Sequence, residues 1–325
     1  MPFLPRSHAL PASSAIAAEH VAHKFTDDHD NPTPAPGWAV VRNGKVVIGG
    51  TVRKKLSAAG FRVVNPCYVK DDQHVFYVFW PTKELPATPR LSLLTEADPE
   101  TFAPVMPGVC GWARDKSHVY YGEKIVPVEP AAFELLGYGY GKDAVTVVRG
   151  AEKVALDART VRIGAFYQWD ATRACAFVMD PAAVKGADGG TFEVIHDGVI
   201  EPFAKDARHV FYQTQEIKGA DSKTFRWLGD GYGRDERTIF FRDGRAESTD
   251  LEHFQPLKWG YARDAAHFYF EGKRFAVADP KTFRVLGMRD YVDKLGSAGY
   301  VAEDSVHFYY DGKAYAKKSW WQFWK

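Results

Sequence analysis

Residues 261–273 read YARDAAHFYFEGK, and this pattern recurs along the chain. In most copies a basic residue precedes an Asp, and after two intervening residues a short run rich in β-branched and aromatic residues follows. The anchoring acids are Asp71, Asp115, Asp143, Asp170, Asp206, Asp235, Asp264 and Asp304. Successive anchors lie 27 to 44 residues apart, a period typical of proteins built from stacked repeats.

The first half of each repeat predicts a β-hairpin. The Asp side chain can accept backbone N–H groups and so hold a tight turn. Runs such as HVFY at 209–212 and HFYY at 307–310 then favour a strand, because such residues suit a half-buried sheet. Asp-Gly at 243–244 and 311–312, and Asn-Gly at 43–44, are strong signals for the hairpin turn.

The second half of each repeat predicts one short helical turn. Residues 279–283 read DPKTF, in which Asp is a helix cap and Pro suits the first helical position. Related segments lie at 98–102, 129–133, 157–161, 188–192, 221–225 and 250–254. We therefore expect a mainly β protein of tandem hairpin-plus-helical-turn repeats that form an elongated, curved, solenoid-like array.

The alternative fold is a β-propeller, whose blades usually have four strands and about 40 or more residues. The shorter repeats of 27 to 29 residues argue against it unless two combine into one blade. Long steps after Asp71, Asp170 and Asp264 predict inserted loops. In repeat proteins such insertions gather on one face, which is often the binding face.

Four regions are expected along the chain. Residues 1–36 are an extension with a short helix and a Pro-rich linker, and 37–65 are an N-terminal hairpin region. Residues 66–316 are the repeat array, and 317–325 are an aromatic cap or tail. In that tail Trp320, Trp321, Phe323 and Trp324 are predicted to cap the last hairpin or, alternatively, to anchor a partner protein.

Composition narrows the possible partners and compartment. The 325 residues carry 42 Lys and Arg against 41 Asp and Glu, so no strong field attracts nucleic acid. No apolar stretch approaches the roughly 20 residues of a membrane helix, so we expect no stable membrane insertion. The interrupted apolar stretch at 9–18 is a poor signal peptide. The three cysteines Cys67, Cys110 and Cys175 lack disulfide-framework or metal spacing. We therefore expect free thiols and a cytoplasmic location.

The segments RDKSHVYY at 114–121 and DSVHFYYDGK at 304–313 resemble the DKNYY family of bacterial repeat proteins. Together with DPKTF at 279–283, they make the resemblance extend over about residues 66–316. It implies a bacterial origin and a repeat scaffold. It implies no biochemical activity and no catalytic residues.

The repeated histidines are interpreted as structural. His74, His118, His209, His267 and His307 share one position, where Thr146, Arg173 and Thr238 stand in other repeats. A catalytic histidine is normally unique and positioned by a partner, whereas a position that tolerates Thr and Arg lies beside a turn. The anchoring aspartates are likewise assigned to turns. We therefore predict no catalytic residue and no enzyme activity.

A histidine cluster and a Gly-rich run are weak evidence for a metal site and a phosphate site. His20, His23 and His29 lie near acids and could bind a metal, but a solvated extension explains them better. The run GYGYG at 137–141 lacks the Lys-Ser/Thr and the helix of a phosphate loop. We expect no metal and no cofactor.

The function predicted from the sequence is protein binding without catalysis. The sharpest hypothesis is a bacterial immunity protein that neutralises a cognate toxin effector, so the expected partner is another protein. The alternatives are a hydrolase that uses carboxylates from neighbouring repeats, and a cell-envelope scaffold protein.

Overall fold

The computed structural model describes residues 37–80, 88–107, 109–178, 180–289 and 299–317. The chain forms two compact units, one ending at Ile163 and one beginning at Gly164. Both consist of small antiparallel sheets in which successive strands pair, so each sheet is a meander. No helix of the described ranges is long and apolar enough to cross a membrane. The predicted mainly β fold is confirmed.

The first unit holds four sheets and ends with the strand Arg162–Ile163. Sheet 1 consists of Ala39–Arg42, Lys45–Ile48 and Thr51–Val52, and sheet 2 of Arg62–Asn65, Tyr68–Lys70, Val75–Phe79 and Arg90–Leu93. Sheet 3 consists of Ala103–Pro104, Trp112–Arg114, Val119–Tyr121 and Lys124–Val126, and sheet 4 of Glu134–Gly137, Tyr140–Lys142, Val147–Arg149 and Glu152–Val154.

The second unit begins with the strands of sheet 5, Tyr167–Trp169, Ala174–Val178 and Asp180–Ala183. Sheet 6 consists of Glu193–His196, Phe203–Lys205, Val210–Tyr212 and Gln215–Glu216, and sheet 7 of Arg226–Gly229, Tyr232–Arg234, Ile239–Phe241 and Gly244–Arg245. Sheet 8 consists of Gln255–Pro256, Tyr261–Arg263, Phe268–Phe270 and Lys273–Phe275, and sheet 9 of Arg284–Arg289, Gly299–Glu303, His307–Tyr310 and Lys313–Ala316.

The repeat is a four-stranded meander, which is larger than the predicted hairpin. Most of its strands are only two to five residues long, so four of them fit in a repeat of about 29 residues. The size argument against four-stranded units was therefore wrong.

The predicted helical turns are not a regular element. Two of these segments form three-residue 3-10 helices, Pro130–Ala132 and Gly189–Thr191. Elsewhere the segment is a hydrogen-bonded turn, as where the Phe225 N–H donates to the Asp221 carbonyl at 2.9 Å. A segment this short cannot propagate a helix before the next strand begins.

The anchoring aspartates tie the two halves of a repeat together. At Asp206, Oδ1 accepts the N–H groups of Arg208 and His209 at 2.7 and 2.6 Å. The same bonds to the second and third residues onward occur at Asp71, Asp115, Asp143, Asp170, Asp235, Asp264 and Asp304. Oδ2 of Asp206 accepts the Asp188 N–H at 2.9 Å, which fixes the preceding turn.

Tyrosines three residues before an anchor tie one sheet to the next. The Tyr232 hydroxyl of sheet 7 donates to the Gly260 carbonyl at 2.8 Å and accepts the Gly272 N–H at 3.0 Å. Tyr167 bonds in the same way to the Gln213 carbonyl at 2.9 Å. Within each unit, buried aromatic residues of neighbouring sheets also share clusters, as Phe203, Phe225 and Phe240 do. The core therefore runs from sheet to sheet inside a unit.

A disulfide joins Cys67 and Cys110, whose Cα atoms lie 5.5 Å apart, so the expectation of free thiols is wrong for this pair. The two cysteines precede the second strands of sheets 2 and 3. Stacking of these sheets brings the two sites together, since the Tyr68 hydroxyl also reaches the Gly111 carbonyl at 2.6 Å. Cys175 is a free cysteine.

Candidate functional site

The connection between the first two strands of sheet 6 is longer than in sheets 2, 4 and 7. Six residues, 197–202, link Glu193–His196 to Phe203–Lys205. In sheets 4 and 7 the same connection has only two residues, at 138–139 and 230–231. This loop accounts for part of the long step after Asp170, where an insertion was predicted.

Polar contacts hold the loop in place. The Asp197 carboxylate accepts the N–H groups of Ala165 and Phe166 at 2.6 and 3.0 Å. Across the loop, His196 Nδ1 donates to the Glu201 carbonyl at 2.7 Å, which fixes the tautomer of the ring. The His196 ring stacks on Trp227, with centroids 3.8 Å apart. The loop backbone is thus fixed by hydrogen bonds and ring packing.

The loop presents apolar side chains to solvent. Val199 is 67% exposed and Ile200 is 80% exposed, although both are held on an anchored backbone. Trp259, on the neighbouring turn of sheet 8, is 42% exposed. Adjacent exposed apolar side chains on a fixed surface are typical of an interaction site.

A cavity of about 460 Å³ lies beside this loop, entirely within the second unit. Its size falls in the range of about 300–1,000 Å³ that is usual for ligand sites. Turns of three successive sheets, 6, 7 and 8, form its wall. The lining residues are His196, Gly198, Val199, Ile200, Glu201, Asp230, Phe241, Arg242, Trp259, Gly260 and Glu271.

Four lining residues occupy a left-handed backbone conformation that favours glycine. The φ angles of Asp230, Arg242, Trp259 and Glu271 are 49°, 52°, 58° and 49°. In other repeats the position of Arg242 and Glu271, seven residues after the anchor, also has positive φ and holds Gly122, Gly150, Gln213 or Asp311. A side chain in this conformation costs about 1–2 kcal/mol. The same cost is present at Tyr138, Gln213 and Asp311 outside the cavity, so it belongs to the turn geometry of the repeat.

The cavity carries three carboxylates and one guanidinium. Arg242 Nη1 lies 3.5 Å from Glu271 Oε1, and its guanidinium lies 4.9 Å from the centre of the Phe241 ring. Asp230 Oδ1 accepts the Trp259 N–H at 3.0 Å. Burial raises the pKa of Glu201 above its usual range and the charge of Asp230 adds to this, although the Gly231 N–H bond opposes it.

The residues singled out from the sequence lie elsewhere. His20, His23, His29, Trp320, Trp321, Phe323 and Trp324 fall outside the described residues. The repeated histidines follow the anchoring turns and do not converge on the cavity. In the described ranges no group of three or more His, Cys, Asp or Glu side chains could hold a metal ion.

The sequence contained one signal for the cavity, the long step after Asp170. The sequence did not identify the lining positions, because Asp230 and Trp259 lie in the short turns that recur in every repeat. The other two predicted insertions include residues 81–87 and 290–298, which lie outside the described part of the chain.

Comparison with known families gives one match. The model of the DKNYY family matches residues 93–244, which confirms the resemblance inferred from the repeat motifs over a shorter part of the chain. The matched segment includes sheets 3 to 6 and the inserted loop. No curated protein and no solved structure matches this chain closely enough to add a relative.

Proposed function

We propose a non-catalytic protein-binding function, supported by the repeats, whose residues 93–244 match the model of the DKNYY family, and by the cavity beside the inserted loop. The observation that carries the proposal is the exposure of Val199, Ile200 and Trp259 on an anchored backbone. Preformed apolar side chains lose little conformational entropy when a partner covers them.

The proposed scaffold is a solenoid-like array in each unit, with meanders and turns stacked in chain order. Clusters shared by neighbouring sheets support this arrangement, as do the tyrosine bonds from one sheet to the next. Repeat units of this kind stabilise one another through nearest-neighbour contacts. Their connecting loops then form a continuous binding face.

The most specific form of the proposal is a cytoplasmic bacterial immunity protein that covers a toxin effector. The near-zero net charge of +1 fits a protein partner better than a polyanion. The test is growth rescue: the chain is co-expressed with the toxin encoded next to its gene, and survival is measured. Wild type should protect and should co-purify with the toxin.

The loop provides the matched variants for this rescue experiment. Val199→Ser combined with Ile200→Ser should abolish protection, whereas Val145→Ser, at an 83% exposed position in the first unit, should not. Exposed positions tolerate such changes within about 0.5 kcal/mol of stability. Absence of rescue by the wild-type chain from any adjacent toxin would contradict the immunity role.

A second candidate function, a cell-envelope scaffold, is favoured by one observation, the Cys67–Cys110 disulfide. Disulfides persist in oxidising compartments and are rare in the bacterial cytoplasm. Cell fractionation with thiol trapping at lysis separates the two proposals. Oxidised chain in the envelope fraction supports the scaffold, and reduced chain in the cytoplasm supports the immunity protein.

A further inference from the structure

The cavity of the second unit has an excess of negative charge. Glu201, Asp230 and Glu271 line it together with a single guanidinium, that of Arg242. Arg242 lies nearest to Glu271, at 3.5 Å. Neither Glu201 nor Asp230 forms an ion pair with any residue in the described ranges. Two carboxylates are therefore left to attract a cation.

Aromatic residues complete the walls. Phe241 contributes an aromatic ring to the wall, with the guanidinium of Arg242 4.9 Å from its centre. The half-exposed indole of Trp259 lies at the same cavity. Aromatic faces attract ammonium and guanidinium groups, and Trp does so most strongly.

Exposed apolar side chains beside the cavity point to a protein segment instead of a small free cation. Val199 and Ile200 are 67% and 80% exposed on the loop that borders the cavity. They are placed to contact apolar residues that flank the bound side chain.

We propose that this cavity binds a lysine or arginine side chain presented by the partner protein, an inference that rests on the proposed protein-binding function. Glu201 and Asp230 receive the charge, and Trp259 covers the aliphatic stem. A buried charge is well bound only where it is paired and hydrogen-bonded. Partners with a neutral or acidic residue at this position are therefore rejected.

The experiment selects binders from a random peptide library displayed on phage, with the full chain immobilised. Peptides recovered by wild type are synthesised, and each is remade with its Lys or Arg replaced by Gln. Affinities are measured for wild type and for E201Q/D230N, in which the amide oxygens keep the acceptor positions for Gly231 and Trp259. E236Q/E252Q removes two exposed carboxylates outside the cavity and is the matched control.

The expected result is enrichment of one basic position among the selected peptides. Replacing that residue with Gln should weaken binding about tenfold or more, and E201Q/D230N should weaken the parent peptide to a similar extent. The two effects should not add, and E236Q/E252Q should bind like wild type. Near-UV circular dichroism and thermal unfolding check that each variant keeps its fold.

Two other results overturn the inference in different ways. Peptides whose binding is lost on V199S/I200S, but which carry no required basic residue, contradict the cation site and leave protein binding intact. Failure to select any peptide above background contradicts the proposed binding function, and the cation site with it.

Discussion

At the scale of single residues, the anchoring aspartate is the decisive feature of the repeat. One carboxylate accepts two N–H groups of the turn that follows it, and in most repeats it also accepts one from the preceding turn. Hydrogen bonds to a charged acceptor are stronger than neutral ones. The residue is therefore specified by the backbone geometry around it, and its recurrence along the sequence needs no catalytic explanation.

Removing one anchor should destabilise the second unit. Asp206→Ala leaves three N–H groups without their acceptor, so the free energy of unfolding should fall by about 2–4 kcal/mol. His209→Thr is the matched control, because Thr occupies this position at Thr146 and Thr238. It should change stability by less than about 0.5 kcal/mol. Urea unfolding followed by far-UV circular dichroism measures both, and equal losses would contradict the assigned role.

The anchors also predict a loss of stability in acid. Burial alone would raise the pKa of Asp264, but hydrogen bonds from the Tyr269 and Ser248 hydroxyls and from two N–H groups outweigh it and lower the pKa to about 2. The pKa values of Asp115, Asp206 and Asp304 are lowered for similar reasons. In the unfolded chain these groups titrate near about pH 3.9.

The unfolded chain therefore binds more protons than the folded chain as acid is added. The stabilisation from these groups is fully present above about pH 4–5 and is lost as the pH falls toward about 2. The urea midpoint should be steady from pH 6 to 5 and should drop steeply below pH 4. A midpoint that stays constant down to pH 3 would contradict this assignment.

At the scale of the elements, neighbouring sheets are coupled by few but buried bonds. The Tyr232 hydroxyl joins sheets 7 and 8 through Gly260 and Gly272. Tyr232→Phe should lower the free energy of unfolding by about 1–2 kcal/mol. Tyr315→Phe, at a half-buried position on the last strand, should change it by less than about 0.5 kcal/mol. Chemical denaturation of both variants measures these changes. Equal small losses of stability in Tyr232→Phe and Tyr315→Phe would show that the Tyr232 hydroxyl does not couple the sheets.

The disulfide gives a prediction for the first unit. Unfolded chain without reductant should react with a thiol reagent at Cys175 alone, and at all three cysteines after reduction. Reduction should lower the stability of the first unit by about 2–4 kcal/mol and leave the second unit unchanged. Intact mass after labelling counts the reactive thiols. Unfolding of Cys175→Ser with and without reductant measures the change in stability. Three reactive thiols before reduction would contradict the bond.

Some elements could be predicted from the sequence and others could not. The Asp turns, the aromatic strands and the Asn-Gly hairpin follow local rules, so the local sequence is enough to predict them. Strands such as Ala103–Pro104 and Gln255–Pro256 carry no strand pattern, because they exist only by pairing with a neighbour. The disulfide joins positions 43 residues apart in sequence, and only stacking of the repeats brings them together.

At the scale of the whole molecule, the cavity forms because neighbouring repeats share one fold but differ in their turn residues and in the length of one loop. Turns of sheets 7 and 8 carry Asp230, Arg242, Trp259 and Glu271, and the neighbouring sheet 6 has a longer loop. The sequence showed the loop as extra length after Asp170. It could not show the cavity, because the lining residues come from three separate repeats that only the fold brings together.

The raised pKa of Glu201 adds a pH dependence to the proposed binding. A basic side chain binds the ionised carboxylate, so affinity for a lysine-containing peptide should fall as the pH drops through the raised pKa of Glu201. The fall should be much weaker in E201Q, which has no proton to gain there. Titrations at several pH values from 7 to 4 measure this, and identical profiles for the two proteins would contradict the role of Glu201.

The most direct test of protein binding at this cavity is site-specific photocrosslinking in the cells that make the protein. A photoreactive amino acid is placed at Ile200, beside the cavity, or at Val145, in the first unit; both positions are at least 80% exposed. The account predicts a discrete covalent adduct with another protein from Ile200 and none from Val145. Equal adducts from both positions, or none from Ile200, would contradict it.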